Sequence, residues 1–108
     1  MDAAKKADLI VQSMIDKKAI DVEKMEISKL TIIADYFVIC SGTSSTHVKG
    51  IVDEINHKLK EQGLEYSRIE GYSTAKWVLI DYQDVIVHVF FEEERQYYNL
   101  ERLWKAVQ

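Results

Sequence analysis

The stretch Trp77–Phe91, WVLIDYQDVIVHVFF, is apolar along nearly its whole length yet carries an aspartate and a histidine near its middle. Successive side chains of a strand point to opposite faces, so at period two this run predicts two short strands around Gln83 and Asp84. With those two residues as the loop of a hairpin, Tyr82 opposes Val85, Ile80 opposes Val87 and Val78 opposes Val89. That face is aliphatic apart from Tyr82 and is expected to pack on helices. The other face presents Trp77, Leu79 and Asp81 beside Ile86, His88 and Phe90, with Leu79 across from His88 and Asp81 its diagonal neighbour. Two readings compete for it. Helices cover it too, with Asp81 and His88 as a satisfied buried pair, or it is a surface patch with aromatic anchors and a few orienting polar groups. Three helices, the third short, cover one face of a five-stranded sheet well and two only thinly, which favours the open patch.

Working outward from the hairpin, residues 3 to 18 place Ala4, Ala7, Ile10, Val11, Met14, Ile15 and Lys18 at helical spacing, with Asp2 as a cap. Val22 to Ile27 is expected to be a strand, and Ala34 to Gly42 (ADYFVICSG) a buried one, because it is apolar almost without interruption. From Ser44 onward Val48, Ile51, Val52, Ile55 and Leu59 form one stripe, ending near Gly63. A short strand at Leu64 to Ile69 and a polar link lead back to the hairpin. A last helix follows, with Tyr97, Leu100, Leu103, Trp104 and Val107 on its apolar side. The order α-β-β-α-β-β-β-α implies one mixed sheet with packed helices in an α/β (α+β) domain spanning residues 1–108.

Composition narrows the function. The chain has 108 residues, 47% of them hydrophobic and 30% charged, enough for one core without disulfide or metal support. No apolar run approaches the ~18 residues of a membrane span. The opening MDAAKKADLI lacks a signal-peptide core, so a cytoplasmic location is expected. The formal net charge of −4, with acids spread along the chain, disfavours binding driven by phosphate neutralisation. Little direct nucleic-acid contact is expected, and a basic protein is the more natural partner.

Chemistry-bearing motifs are weak. Ser41 to Ser44 (SGTS) follows a strand and opens a helix, so it could cradle a phosphate, but an N-cap by Thr43 or Ser44 explains it as well. No Asp-x-Asp or Glu-x-Glu follows that turn on a strand to hold Mg²⁺. Glu92 to Glu94 reads as a solvated run beside a helix start. His47, His57 and His88 have no metal-ligand spacing with one another or with Cys40, and Cys40 sits among Phe37, Val38 and Ile39 as a core residue. No cofactor is implied.

ADYFVICSGTSSTHVKGIVDEI from Ala34, Glu70-Gly71, WVLIDYQDVIVHVF from Trp77 and RQYYNLERLW from Arg95 together resemble the ribosomal silencing factor, or Iojap-related, family. The resemblance implies a nucleotidyltransferase-like fold without catalytic carboxylates. It implies a non-enzymatic translation repressor that binds the large ribosomal subunit through its fourteenth protein and blocks joining of the small subunit when nutrients are scarce. On that reading Trp77, Leu79 and Phe90 supply contact area, Asp81 and His88 orient the patch, and Tyr98 borders it. Gln83 and Gly50 depart from the family, which commonly has glycine and alanine there. The alternatives are a nucleotide-binding enzyme using the Ser41 to Ser44 turn, and a homodimer built on the same apolar face.

Overall fold

The structure, a computed structural model, describes residues 1–98 and, for residues 96–98, the backbone alone. The elements run α1 (Ala3–Asp16), β1 (Ile20–Glu26), β2 (Tyr36–Gly42), α2 (Ser45–Glu61), β3 (Arg68–Glu70), β4 (Trp77–Asp81), β5 (Val85–Phe91) and α3 (Glu92–Tyr98). The sheet order is β1-β2-β5-β4-β3, with β2 and β5 parallel and the other neighbours antiparallel. The α/β fold, element order and mixed five-stranded sheet are those expected. The apolar side of the final helix beyond Tyr98 lies outside the described residues.

Both long helices start and stop for local reasons. The Asp2 carboxylate accepts the Lys5 N–H at 2.8 Å, and the Ser44 hydroxyl accepts that of His47 at 3.0 Å, each satisfying a donor that the first turn leaves open. At the other end of α2, Gly63 at φ +76° lets Leu64 N–H reach the Leu59 carbonyl and its own N–H reach that of Lys60. The same closure ends α1, where Lys18 takes φ +57° and Ala19 N–H bonds to Met14. That is why α1 stops at Asp16, two residues before its apolar periodicity does. The strand that follows begins earlier than its sequence suggests, because a bulge with Asp21 at φ +50° breaks the alternation between Ile20 and Glu23. Residues 64–67 close α2 and turn the chain, leaving β3 only three residues long.

The hairpin register is the expected one. Val78 pairs with Val89, Leu79 with His88 and Ile80 with Val87, and Tyr82 N–H bonds to the Val85 carbonyl at 3.0 Å across the Gln83-Asp84 turn. Gln83 adopts φ +75°, a left-handed conformation that favours glycine, and Asp81 Oδ1 steadies it by accepting the Gln83 N–H at 2.7 Å. Lys6 reaches over from α1 to donate to the Tyr82 carbonyl at 3.1 Å and to Asp84 Oδ1 at 2.6 Å. The Asp84 carbonyl in turn accepts the N–H groups of Asp35 and Tyr36. The turn is thus tied to a helix and to the start of the neighbouring strand.

Two cores result, one per face. On the helix side Ile10 and Met14 of α1 and Ile51, Ile55 and Leu59 of α2 pack against Val38, Cys40, Val78, Ile80 and Val87. On the opposite side Met25, Ile27, Ala34, Phe37, Ile39 and Phe90 form a second, smaller core, with Trp77 and Ile86 packed against it and only partly buried. Ile27 and Ala34 lie outside the strands, so the segment joining β1 to β2 folds across this face. The expected open face is corrected here. Phe90 is 1% exposed and His88 4%, because the β1–β2 segment covers this face near the start of β2 while α3 packs on β5 and β2 at the other end, where Arg95 donates to the Ser41 hydroxyl beside Phe90.

Two glycines make opposite demands. A Cβ at Gly71, which sits at φ +81°, would collide with the Trp77 carbonyl oxygen, so the turn into β4 closes only without a side chain. A Cβ at Gly50 would meet nothing within 4 Å. Gly50→Ala is therefore expected to stabilise the protein by about 0.5–1 kcal/mol through helix propensity. Gly71→Ala is expected to destabilise it by more than about 1 kcal/mol. Urea unfolding of the two variants measures both signs.

Candidate docking site

The sequence-derived residues sort into four positions. Trp77 and Leu79 point from β4 to the second face and are partly exposed, as is Ile86 opposite. His88 and Phe90 lie beneath them. Asp81 is on the same face near the turn, partly exposed, with its carboxylate bonded to Gln83 N–H and not to His88. The partner that His88 takes is Trp77, whose indole Nε1–H donates to His88 Nδ1 at 3.0 Å. Tyr98 ends the described part of α3, and its side chain lies outside the described ones.

Trp77 is held from below as well. Its ring stacks on Phe90 with centroids 5.2 Å apart and planes 22° from parallel, and Phe37 meets His88 edge-on at 4.8 Å. Such pairs add to plain area burial. Trp77, His88, Phe90 and Phe37 form a continuous aromatic layer that rises from the second core and reaches the surface at Trp77. Strand β3 supplies the rim: Glu70 pairs with Leu79 and Arg68 with Asp81, and Arg68 and Glu70 face each other at 3.6 Å in solvent.

A second exposed apolar feature lies outside the sequence-derived set. Ile32 is fully exposed and Ile33 is 64% exposed, both on the segment whose bases, Ile27 and Ala34, sit in the second core. Hydrogen bonds from Leu30 N–H and Thr31 N–H to the Ile27 carbonyl, and from Ile33 N–H to the Thr31 hydroxyl, shape this knuckle. An adjacent pair of exposed isoleucines is an unfavourable solvent surface unless something covers it. The sequence signal was present in Thr31-Ile32-Ile33-Ala34, an apolar run in a connecting segment.

The other candidate chemistry resolves structurally. Ser44 caps α2, and the Thr43 N–H is taken by His47 Nδ1 at 2.9 Å, while His47 Nε2 donates to the Lys17 carbonyl at 2.7 Å. The Ser41–Ser44 turn therefore turns its polar groups to capping and to joining α1 and α2. Burial pushes the Cys40 thiol up to about 12, against a small opposing influence of Arg95, so it is held as an inert thiol. Glu92, Glu93 and Glu94 form the first turn of α3, where their charge suits the helix dipole. Among the described residues no cluster of His, Cys, Asp or Glu is placed to hold a metal ion, and no helix is long and apolar enough to cross a membrane. A groove of about 570 Å³ lies away from the candidate docking site, between α2 and Tyr66 and Tyr82. Its carboxylates, Asp53 and Glu65, alternate with Lys60 and His57, so no single ligand chemistry is selected.

The buried imidazole makes stability depend on pH. Desolvation pushes His88 down from 6.5 to about 4. Between those values the unfolded chain binds the proton and the folded one does not, so stability falls as pH drops from 6.5 towards 4 and levels off below. The loss attributable to His88 is on the order of 3 kcal/mol. Urea unfolding at pH 7 and pH 4.5 is expected to show it in the natural protein and to show a smaller change in His88→Phe.

Comparison with known proteins bears on the fold and the family. The family described as "Ribosomal silencing factor during starvation" matches residues 1–108. A protein of Halalkalibacterium halodurans named ribosomal silencing factor RsfS is 49% identical over 96 residues, covering 89% of this chain and 82% of its own length. A crystal structure of a Chromobacterium violaceum protein superposes with a TM-score of 0.94 at 33% identity, covering 97% of this chain and 88% of that one. At 31% identity over 100 residues, covering 90% of this chain and 44% of the relative, the mouse protein "Mitochondrial assembly of ribosomal large subunit protein 1" is also similar. The chain belongs to the ribosomal silencing factor family, whose members regulate translation at the ribosome and are not enzymes.

Proposed function

We propose that this protein represses translation by occupying the large ribosomal subunit, gripping that subunit's fourteenth protein, and sterically excluding the small subunit under nutrient limitation. The carrying observation is Trp77, a large aromatic ring anchored on Phe90 and His88 and still partly exposed where the second core reaches the surface. Aromatic side chains with rigid support are what interface hot spots use, because little entropy is lost when they are covered. Leu79 and Ile86 extend the apolar area, and the exposed Ile32 and Ile33 add a second point of contact. Asp81 contributes by shaping the adjoining turn, and Tyr98 borders the site from α3. Blocking an encounter needs affinity and position, and no bond is made or broken.

The names of relatives support the ribosomal setting, one through silencing and the mouse protein through assembly of the large subunit. The acidic chain, at −4, complements the basic character common among proteins that bind ribosomal RNA.

Sucrose-gradient profiles of purified subunits, mixed with the protein before reassociation, test the reading. Free subunits are expected to accumulate in proportion to added protein; an unchanged fraction of joined particles contradicts it. Trp77→Ala is expected to weaken co-sedimentation with large subunits by roughly 30- to 1000-fold while keeping its circular dichroism. The double variant Ile32→Ser, Ile33→Ser is expected to weaken binding with its fold retained. Full binding by a folded Trp77→Ala protein would remove the site from this face.

A further inference from the structure

His88 occupies the middle of β5, 4% exposed, among Phe37, Ile39 and Phe90. Because Nδ1 accepts the Trp77 indole N–H, the neutral ring carries its own proton on Nε2. That Nε2 is buried and has no hydrogen-bond partner. A stranded donor of this kind opposes folding, and an apolar ring of similar size would fill the same space without it. The imidazole therefore has a poor rationale as a core residue. Its one polar contact is with the side chain that carries the proposed docking site.

Stacking alone does not fix that side chain. An indole lying on Phe90 keeps most of its contact when it flips about χ2, since that torsion is broad and roughly two-fold in aromatic residues. The hydrogen bond breaks the tie. Only one of the two orientations puts Nε1–H against His88 Nδ1, so this bond favours the orientation in which the N–H edge of Trp77 faces inward. With the N–H edge turned in, the outward part of the ring is carbon.

We propose that His88 is a positioning residue for docking, setting Trp77 in the single ring orientation that presents an apolar edge to a partner surface lacking a hydrogen-bond acceptor for the indole. This rests on the reading of Trp77 as part of the docking site. A partner that needed the indole N–H would have to break the bond to His88, stranding a second buried polar atom. Selectivity for an apolar pocket follows from the orientation.

The test uses the full chain with three substitutions at one position. In His88→Phe and His88→Leu the acceptor is gone, whereas the carboxamide introduced by His88→Asn places an oxygen acceptor near the position of Nδ1. Nitrogen-15 spectra report the Trp77 indole N–H, identified by its loss in Trp77→Phe, and sedimentation reports affinity for isolated large subunits. In the two apolar variants the thermal midpoint is expected to hold or rise, and the Trp77 indole N–H to exchange faster and move towards the position of a free indole. Affinity is expected to fall about three- to tenfold, the scale set by leaving one interface side chain to be ordered on binding. His88→Asn is expected to restore the resonance and most of the affinity. A marked drop of the midpoint in both apolar variants would show that the imidazole serves the core, and would overturn the proposal. So would natural affinity in His88→Phe with a displaced indole resonance, when Trp77→Ala binds poorly. If Trp77→Ala binds fully, the docking reading fails first and the positioning role with it, while the resonance still shows whether His88 orients the ring.

Discussion

The pairing of Tyr82 with Val85 decides where every side chain of the β4–β5 ribbon goes. Successive residues alternate between faces, so a slip of one position would carry Val78, Ile80, Val87 and Val89 out of the helix-side core and drive Asp81 and His88 into it. Several bonds hold that pairing in place. Lys6 binds the turn from α1, Asp81 caps Gln83, and the Asp84 carbonyl ties the turn to Asp35 and Tyr36. Gly71 keeps the entry to β4 close enough for Trp77 to start the strand on the right face.

The two faces of the sheet are finished by different means, and the difference creates the candidate site. Two capped helices cover one face completely. On the other, the segment between β1 and β2 covers the end where β2 starts and α3 packs at the opposite end, where Arg95 reaches Ser41, leaving the β4 side partly open. Trp77, Leu79 and Ile86 lie along this margin, supported from inside but not enclosed. A side chain in that position keeps a defined conformation and still has area to offer, which is the combination a steric repressor requires.

Much of this was legible in the sequence, for reasons particular residues make plain. The stripe Val48, Ile51, Val52, Ile55 and Leu59 announces α2, and the alternation on either side of Gln83 gives the hairpin register, including Leu79 across from His88, because both follow from local periodicity alone. What needed coordinates was long-range. The alternation around Phe90 does not show that α3 turns back over β5 and β2 or that Trp77 stacks on the ring, so its burial was missed. Proximity left a bond between Asp81 and His88 open, whereas a turn N–H two residues away and an indole eleven residues away are the partners chosen. Lys18 and Asp21, non-glycine residues with positive φ, hid the end of α1 and the start of β1. Ile32 and Ile33 passed as part of a connection, since exposure is a property of the folded surface and not of the residues.

If the fold works as a steric repressor in this way, the margin around Trp77, with the Ile32–Ile33 knuckle, is the surface covered on the large subunit. Hydroxyl-radical footprinting of the free protein and of its complex with isolated large subunits measures this side chain by side chain. Oxidation of Trp77, Ile32 and Ile33 is predicted to fall sharply in the complex, while that of Ile15 on α1 stays as it was. Undiminished oxidation of Trp77 in a saturated complex, with protection of α1 or α2 instead, would contradict the account.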